Sequence, residues 1–137
     1  MKNSKQNAER WLRQSENTLR QAKRTYEQGD AFNFACFLSE QTAQQALKAV
    51  LYLDGARFIN IHSIAELIKE ISKKRSEFSS LFEQGVKLDQ YYLSTRYPDA
   101  VAEPAIPSEI FTKDQAKEAV SIAQGIFGVS QNLIKLG

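Results

Sequence analysis

Apolar residues recur along this chain in steps of three and four, the spacing that gathers them on one side of a helix. From about Ser4 to Glu27, the residues Ala8, Trp11, Leu12, Ser15, Leu19, Ala22 and Tyr26 fall on one face, and the excess of Lys and Arg falls opposite. Gly29 suits the left-handed conformation that closes a helix, and Asp30 is expected to accept hydrogen bonds from the first N–H groups of the next one. Together they predict a tight hairpin of two antiparallel helices. The second helix runs to about Asp54, where Gly55 ends it, burying some combination of Phe34, Ala35, Leu38, Thr42, Ala46, Ala49, Val50 and Leu53. Apolar residues on more than one of its faces mark it as the central helix.

"SIAE", from Ser63 to Glu66, has the form of a capping box in which serine bonds the N–H of Glu66 and the carboxylate reaches back. A short third helix is expected there, with Ile64, Leu67, Ile68 and Ile71 facing inward. The charged "SKKRSE" that follows reads as a connector. Phe78, Leu81, Phe82, Val86, Leu88, Tyr91 and Tyr92 then predict a fourth helix ending near Ser94. All three prolines, Pro98, Pro104 and Pro107, fall between about 95 and 111 and predict a stiff loop. "TKDQ", from Thr112 to Gln115, is a second capping box, opening a last helix with Ala116, Ala119, Val120, Ala123, Ile126, Phe127, Leu133 and Ile134 on one face.

No segment alternates in the manner of a strand, and there is no hairpin signal, so the fold class is all-α. Three helices of about 24 residues, each about 36 Å long, pack most naturally with the short ones as an up-and-down bundle of four to five helices. At 137 residues the chain fits a single domain spanning residues 1–137. Phe32, Phe37, Tyr52 and Phe58 are surplus to one core stripe and suit a dimer interface.

Composition narrows the function more by exclusion. The longest apolar run, "ALKAVLYL", is broken by Lys48 and is far short of the roughly 20 residues that span a bilayer, so no membrane segment is expected. With a single cysteine and the polar start "MKNSKQNAERW", the chain reads as cytoplasmic. Residues 1–28 hold seven Lys or Arg against Glu9, Glu16 and Glu27, although the whole chain carries only +2. Such a basic helix either attracts a polyanion or is simply a solvated face.

Candidate chemistry is sparse. Cys36 sits in the apolar "FNFACFLSE", where a thiol is buried and inert, and no group of residues has the spacing of a metal site or of an activated nucleophile. His62, the one histidine, precedes the cap Ser63 and suits either a loop contact or proton transfer. Arg96 is more informative. Its planar fork of donors matches a phosphate, Tyr91, Tyr92 or Tyr97 can stack on a base, and Asp99 can hold the fork in place. An equally concrete reading makes Arg96 the cation that complements the C-terminal dipole of the fourth helix, with Asp99 as its ion-pair partner.

"FACFLSEQTAQQALKAVLYLDG", then "HSIAEL", then "YYLSTRYPDA", in this order and at these separations, resemble the HEPN domain, the nucleotide-binding domain of higher eukaryotes and prokaryotes. The likeness extends from Trp11 to the alanine-rich last helix. It implies a bundle of four or five helices, usually dimeric, found in prokaryotes beside a minimal nucleotidyltransferase or in toxin–antitoxin pairs. Many relatives are metal-independent RNases in which an arginine is followed four to six residues later by histidine, two copies meeting across a dimer cleft. Arg96 matches that arginine, but Val101, Ala102 and Glu103 occupy the positions where the histidine is expected. Family members also commonly carry Glu-Lys where this chain has Gln44 and Gln45, while Lys48 is retained.

The expectation is therefore a non-catalytic, cofactor-free and metal-free homodimer that binds a nucleotide or RNA phosphate. Arg96 is the anchor, with Tyr97, Asp99 and Lys48 in support and His62 and Tyr92 as secondary candidates. Two rival expectations are an RNase toxin in which His62 replaces the missing histidine, and a module that restrains a nucleotidyltransferase without touching nucleotide.

Overall fold

A computed structural model describes residues 3–136. Helix α1 spans Ser4–Gln28 and α2 Phe32–Leu53; α3 spans Ile64–Ser72 and is followed by a 3-10 turn at Ser76–Leu81. Next come α4 (Phe82–Asp89), α5 (Tyr91–Ser94), a 3-10 turn at Pro98–Ala100, α6 (Pro107–Ile110) and the long α7 (Lys113–Leu136). There is no strand among the described residues, and the all-α bundle expected from periodicity is the observed one.

Helices α1, α2 and α7 pack on one another, and α2 also touches α3, α4, α5 and α6. That central position explains why α2 buries Ala35, Cys36, Ala43, Ala46, Leu47, Ala49 and Val50 on several sides at once. Small residues on it let α1 and α7 approach closely. The expected face of α1 is inward, and its Ser15 hydroxyl donates to the Thr42 carbonyl of α2 at 2.7 Å. Gly29 closes α1 at φ 79°, its N–H bonded to the Tyr26 carbonyl.

Several local expectations are corrected. Asp30 does not cap α2: the cap position is Ala31, without a side-chain hydrogen bond, because the turn uses one residue more than a two-residue hairpin and leaves Asp30 exposed. Phe34 is half exposed rather than buried. The predicted fourth helix is three short pieces, and Val86 points outward, leaving Gly85 on the core side. A Cβ at Gly85 would lie 2.7 Å from Ile68 Cδ1 and 3.1 Å from Ile64 Cγ2, so glycine lets α4 press onto α3. The four aromatic residues set aside for a dimer are mostly used within the chain. Phe32 meets Tyr26 at 6.4 Å and Tyr52 meets Trp11 at 5.4 Å, whereas Phe58 stays 81% exposed.

The two capping boxes differ. Thr112 and Gln115 form theirs completely: the Thr112 N–H donates to Gln115 Oε1 at 2.9 Å, and the Gln115 N–H to Thr112 Oγ1 at 3.1 Å. At α3 only half forms, Ser63 Oγ accepting from the Glu66 N–H at 3.2 Å, while Glu66 turns to Lys69. The first two N–H groups of α3 are met instead by Asp89 at the end of α4. Its carboxylate accepts from the Ile64 N–H at 2.6 Å, the Ala65 N–H at 3.1 Å and the Ser63 hydroxyl at 2.8 Å. The connector after α3 is anchored as well, because Arg75 forms a two-pronged pair with Asp54 at 2.7 and 3.0 Å.

A carboxylate that satisfies two orphan N–H groups at the positive end of a helix is a charge-assisted cap. Asp89→Ala is expected to lower the unfolding free energy by about 2 kcal/mol, and Asp89→Asn by about half as much, in urea denaturation. A loss under about 0.5 kcal/mol for both would mean that solvent caps α3 equally well.

Candidate functional site

The segment after α5 is tied to the start of α2 by its backbone. Asn33 Nδ2 donates to the Thr95 carbonyl at 3.0 Å, and the buried Thr95 hydroxyl donates to the Tyr91 carbonyl at 2.7 Å. The N–H groups of Arg96 and Tyr97 both reach the Leu93 carbonyl at 3.1 Å, closing the helix end. Residues 95–97 are thus fixed on the surface of α2 before any side chain is considered.

The Arg96 side chain folds back along α5. Its Nε and Nη2 donate to the Tyr92 carbonyl at 3.2 and 2.7 Å, so it does complement the helix C-terminus, as the second sequence reading held. Its guanidinium carbon lies 4.1 Å from the ring centre of Phe37, 5.0 Å from Tyr97 and 5.4 Å from Tyr92. Three rings therefore frame one cation, an arrangement that attracts it through their negative faces. Asp99 is not its partner: among the described residues no carboxylate pairs with Arg96, and Asp99 stands exposed in the turn Pro98–Ala100. A guanidinium has five N–H donors, and the Tyr92 carbonyl engages only one edge of it. Arg96 and Tyr97 are both solvent-exposed.

His62 comes to the same place from the other side. Its ring stacks on Tyr92 at 6.1 Å with an interplanar angle of 11°, so Tyr92 has His62 and Arg96 as neighbours. The Asp89 cap explains the approach, since it pins Ser63, the next residue after His62, to a point three residues before Tyr92. Lys48 does not join this group. Its ammonium sits 5.8 Å from the Trp11 ring, eleven residues or about 16 Å along α2 from Phe37. Burial lowers its pKa, and the charge of Glu40 opposes that shift.

One turn along α2 from Phe37 lies Glu40, which has no solvent exposure. Its carboxylate accepts from Gln44 Nε2 and, at 2.7 Å, from Gln41 Nε2. Burial pushes its pKa up from 4.5 to about 7; the two amide bonds pull the other way, the charge of Asp89 adds to the rise and that of Arg96 opposes it. Cys36 is buried, and burial pushes its thiol up to about 12, which fits the inert role read from its surroundings. Among the described residues no cluster of His, Cys, Asp and Glu could hold a metal ion.

A family model for the HEPN domain matches residues 8–133. The chain belongs to the HEPN family. Its bundle superposes on the crystal structure of TT1696 from Thermus thermophilus with a TM-score of 0.84 at 32% identity, over 92% of this chain and 97% of the other. ST0689, an archaeal HEPN homologue, matches with a TM-score of 0.76 at 30% identity, over 98% of this chain and 99% of its own. None of the curated proteins matches. No helix among the described residues of this HEPN domain is long and apolar enough to cross a membrane.

Glu40 is the site residue that sequence reasoning passed over. Its only signal was an acid at a position facing inward between Cys36 and Ala43. Its titration sets a testable stability profile for the domain. Unfolded, it ionises near 4.5, and folded near 7, so the folded state holds the extra proton between these values. Its contribution to stability is full below about pH 4.5 and falls as pH rises through about 7, by up to about 3 kcal/mol. Glu40→Gln stays neutral and is expected to flatten this slope, leaving the variant more stable than wild type at pH 8 and similar at pH 5. Urea denaturation at both pH values checks it; an unchanged slope removes Glu40 as its source.

Proposed function

We propose that this HEPN domain binds the phosphate of a nucleotide or of RNA at Arg96, as a homodimer, and that it recognises its ligand rather than cleaving it. The observation that carries the reading is an exposed guanidinium stacked on Phe37, held by one edge on a backbone carbonyl and paired with no carboxylate among the described residues. Its outward donors can then form charge-assisted bonds to an anion. Tyr97, half exposed beside it, offers a ring to a base, worth about 1 to 3 kcal/mol per stacked base. Asp99 and Lys48 stand away from the guanidinium and take supporting roles at most.

The homodimer rests on the apolar surface beside the site. Phe34 is half exposed and meets Phe37 edge-on at 6.1 Å, and Leu93 is half exposed as well. Pairing with a minimal nucleotidyltransferase is the partner this family reading favours.

A specific observation also favours a second reading, RNA cleavage. The His62 ring, stacked on Tyr92 beside Arg96, can supply the imidazole that positions 101–103 lack. Cleavage of a structured RNA that is lost in both His62→Ala and Arg96→Ala would favour that reading over recognition alone.

Arg96→Ala is expected to weaken binding of nucleoside phosphates or a short RNA by about 10- to 100-fold in calorimetry. Arg96→Lys keeps the charge without the fork and should fall between. The alanine variant also loses its bonds to the Tyr92 carbonyl and its stacking, about 1 kcal/mol of stability, so a melting curve accompanies each titration. Equal affinity in a folded Arg96→Ala protein would end the proposal. Native mass spectrometry of the purified protein tests the dimer in the same preparation.

A further inference from the structure

Helix α1 carries a second positively charged surface, made of different residues. At 100° per residue, Arg10, Arg13, Asn17, Arg20 and Arg24 fall within an arc of about 80°, opposite the buried face of Ala8, Ser15 and Ala22. No acid lies in that arc; Glu9, Glu16 and Glu27 form a separate stripe along one edge of it. All four arginines are exposed, and the row from Arg10 to Arg24 is about 21 Å long.

An ordinary solvated helix face alternates its signs, because opposite charges three or four residues apart stabilise the helix by a few tenths of a kcal/mol and like charges cost about the same. Here Arg10 and Arg13 are neighbours three apart, and Arg20 and Arg24 four apart, so the row holds two repulsive pairs, although Glu9, Glu16 and Glu27 stand three or four residues from Arg13, Arg20 and Arg24 along its edge. Only Arg20 has an ion-pair partner among the described residues, Glu16 at 4.0 Å with both side chains at least half exposed. Arg10 donates to an amide oxygen, Asn7 Oδ1 at 3.4 Å, and Arg20 donates to Asn17 Oδ1 at 3.2 Å besides its pair with Glu16; an amide orients a guanidinium without cancelling its charge. Two shallow depressions flank Arg10 and Arg13, one lined with Trp11 and Gln14 and the other with Gln6 and Glu9.

We infer that this arginine row binds the sugar–phosphate backbone of a nucleic acid. An extended row of like charge complements a linear polyanion rather than a single small phosphate. Trp11 packs on Tyr52 with the Lys48 ammonium over its ring, so the contacts the row offers are to phosphates rather than to bases. The inference does not depend on Arg96 being a phosphate site.

Fluorescence anisotropy with a labelled 20-nucleotide single-stranded RNA, titrated at several KCl concentrations, tests it on the full chain. The variants are Arg10→Gln/Arg13→Gln, Arg20→Gln/Arg24→Gln, and a control, Lys113→Gln/Lys117→Gln, that removes equal charge from exposed positions of α7. Each arginine pair is expected to weaken binding about tenfold or more at low salt and to reduce the slope of log K against log salt by about 1.4, while the control shifts affinity less than about threefold. Arg96→Ala should keep the row's share of the salt slope, so the two sites fail separately. Wild-type affinity in both arginine variants overturns the inference, as does an equal loss in the control. Binding of phosphatidylserine vesicles without RNA overturns it too. The melting temperatures of both arginine variants should match or exceed wild type, since relieving like-charge repulsion removes no buried contact.

Discussion

The carboxylate of Asp89 at the start of α3 is the contact on which the geometry of the site depends. α3 begins after a ten-residue stretch from Asp54 to Ser63 that contains no helix. By accepting from two N–H groups and the Ser63 hydroxyl, Asp89 sets the start of α3 against the end of α4. His62 on one side and Tyr92 on the other then follow as immediate neighbours of the clamp. Gly85 completes the fit, because only a residue without Cβ lets Ile68 and Ile64 press against α4. A helix cap, normally a local device, here holds together residues distant in the chain.

That distinction between local and distant accounts for what could be read from the sequence. The faces of α1 and α7, the cap of α7 by Thr112 and Gln115, and the glycine closing α1 are all set within a few residues, and each is found where the pattern placed it. The α3 box was half right, since its serine acts locally and the carboxylate that meets the first N–H groups of α3 lies 26 residues from that serine. Val86 was misplaced because periodicity ranks an apolar side chain above a glycine, whereas close helix approach reverses the order. Phe34 was misplaced because α2 is covered on so many sides that no single face can be read from spacing. The stacking of His62 on Tyr92 left no trace in either segment alone.

Arg96 shows why the two sequence readings of it were not true alternatives. Donation to the Tyr92 carbonyl serves the helix end, and the same bond, with Phe37 beneath, holds the guanidinium in one place without a carboxylate. A neutral acceptor orients the group and leaves its charge intact; Asp99 as a partner would have oriented it and neutralised it. The departures from the family's usual Glu-Lys pair fit the same pattern. Gln44 supplies an amide to Glu40 within α2, and Gln45 Oε1 accepts from the Thr18 hydroxyl of α1 at 2.8 Å, so neutral groups stand where charges would otherwise be.

Glu40 is the acid best placed to quench Arg96, and its surroundings work against that. It is sealed inside α2's packing and bonded by the two glutamine amides, and burial holds its pKa near 7. Near neutral pH its carboxyl is therefore shared between protonated and ionised forms, and its average negative charge is well below one. The attraction of Arg96 acts to lower that pKa, against the desolvation that raises it. The buried group thus gives up much of its charge near neutral pH, while the exposed guanidinium stays charged. A cation framed by rings and anchored on a carbonyl, near a partly neutral acid, stays available to an anion arriving from solvent.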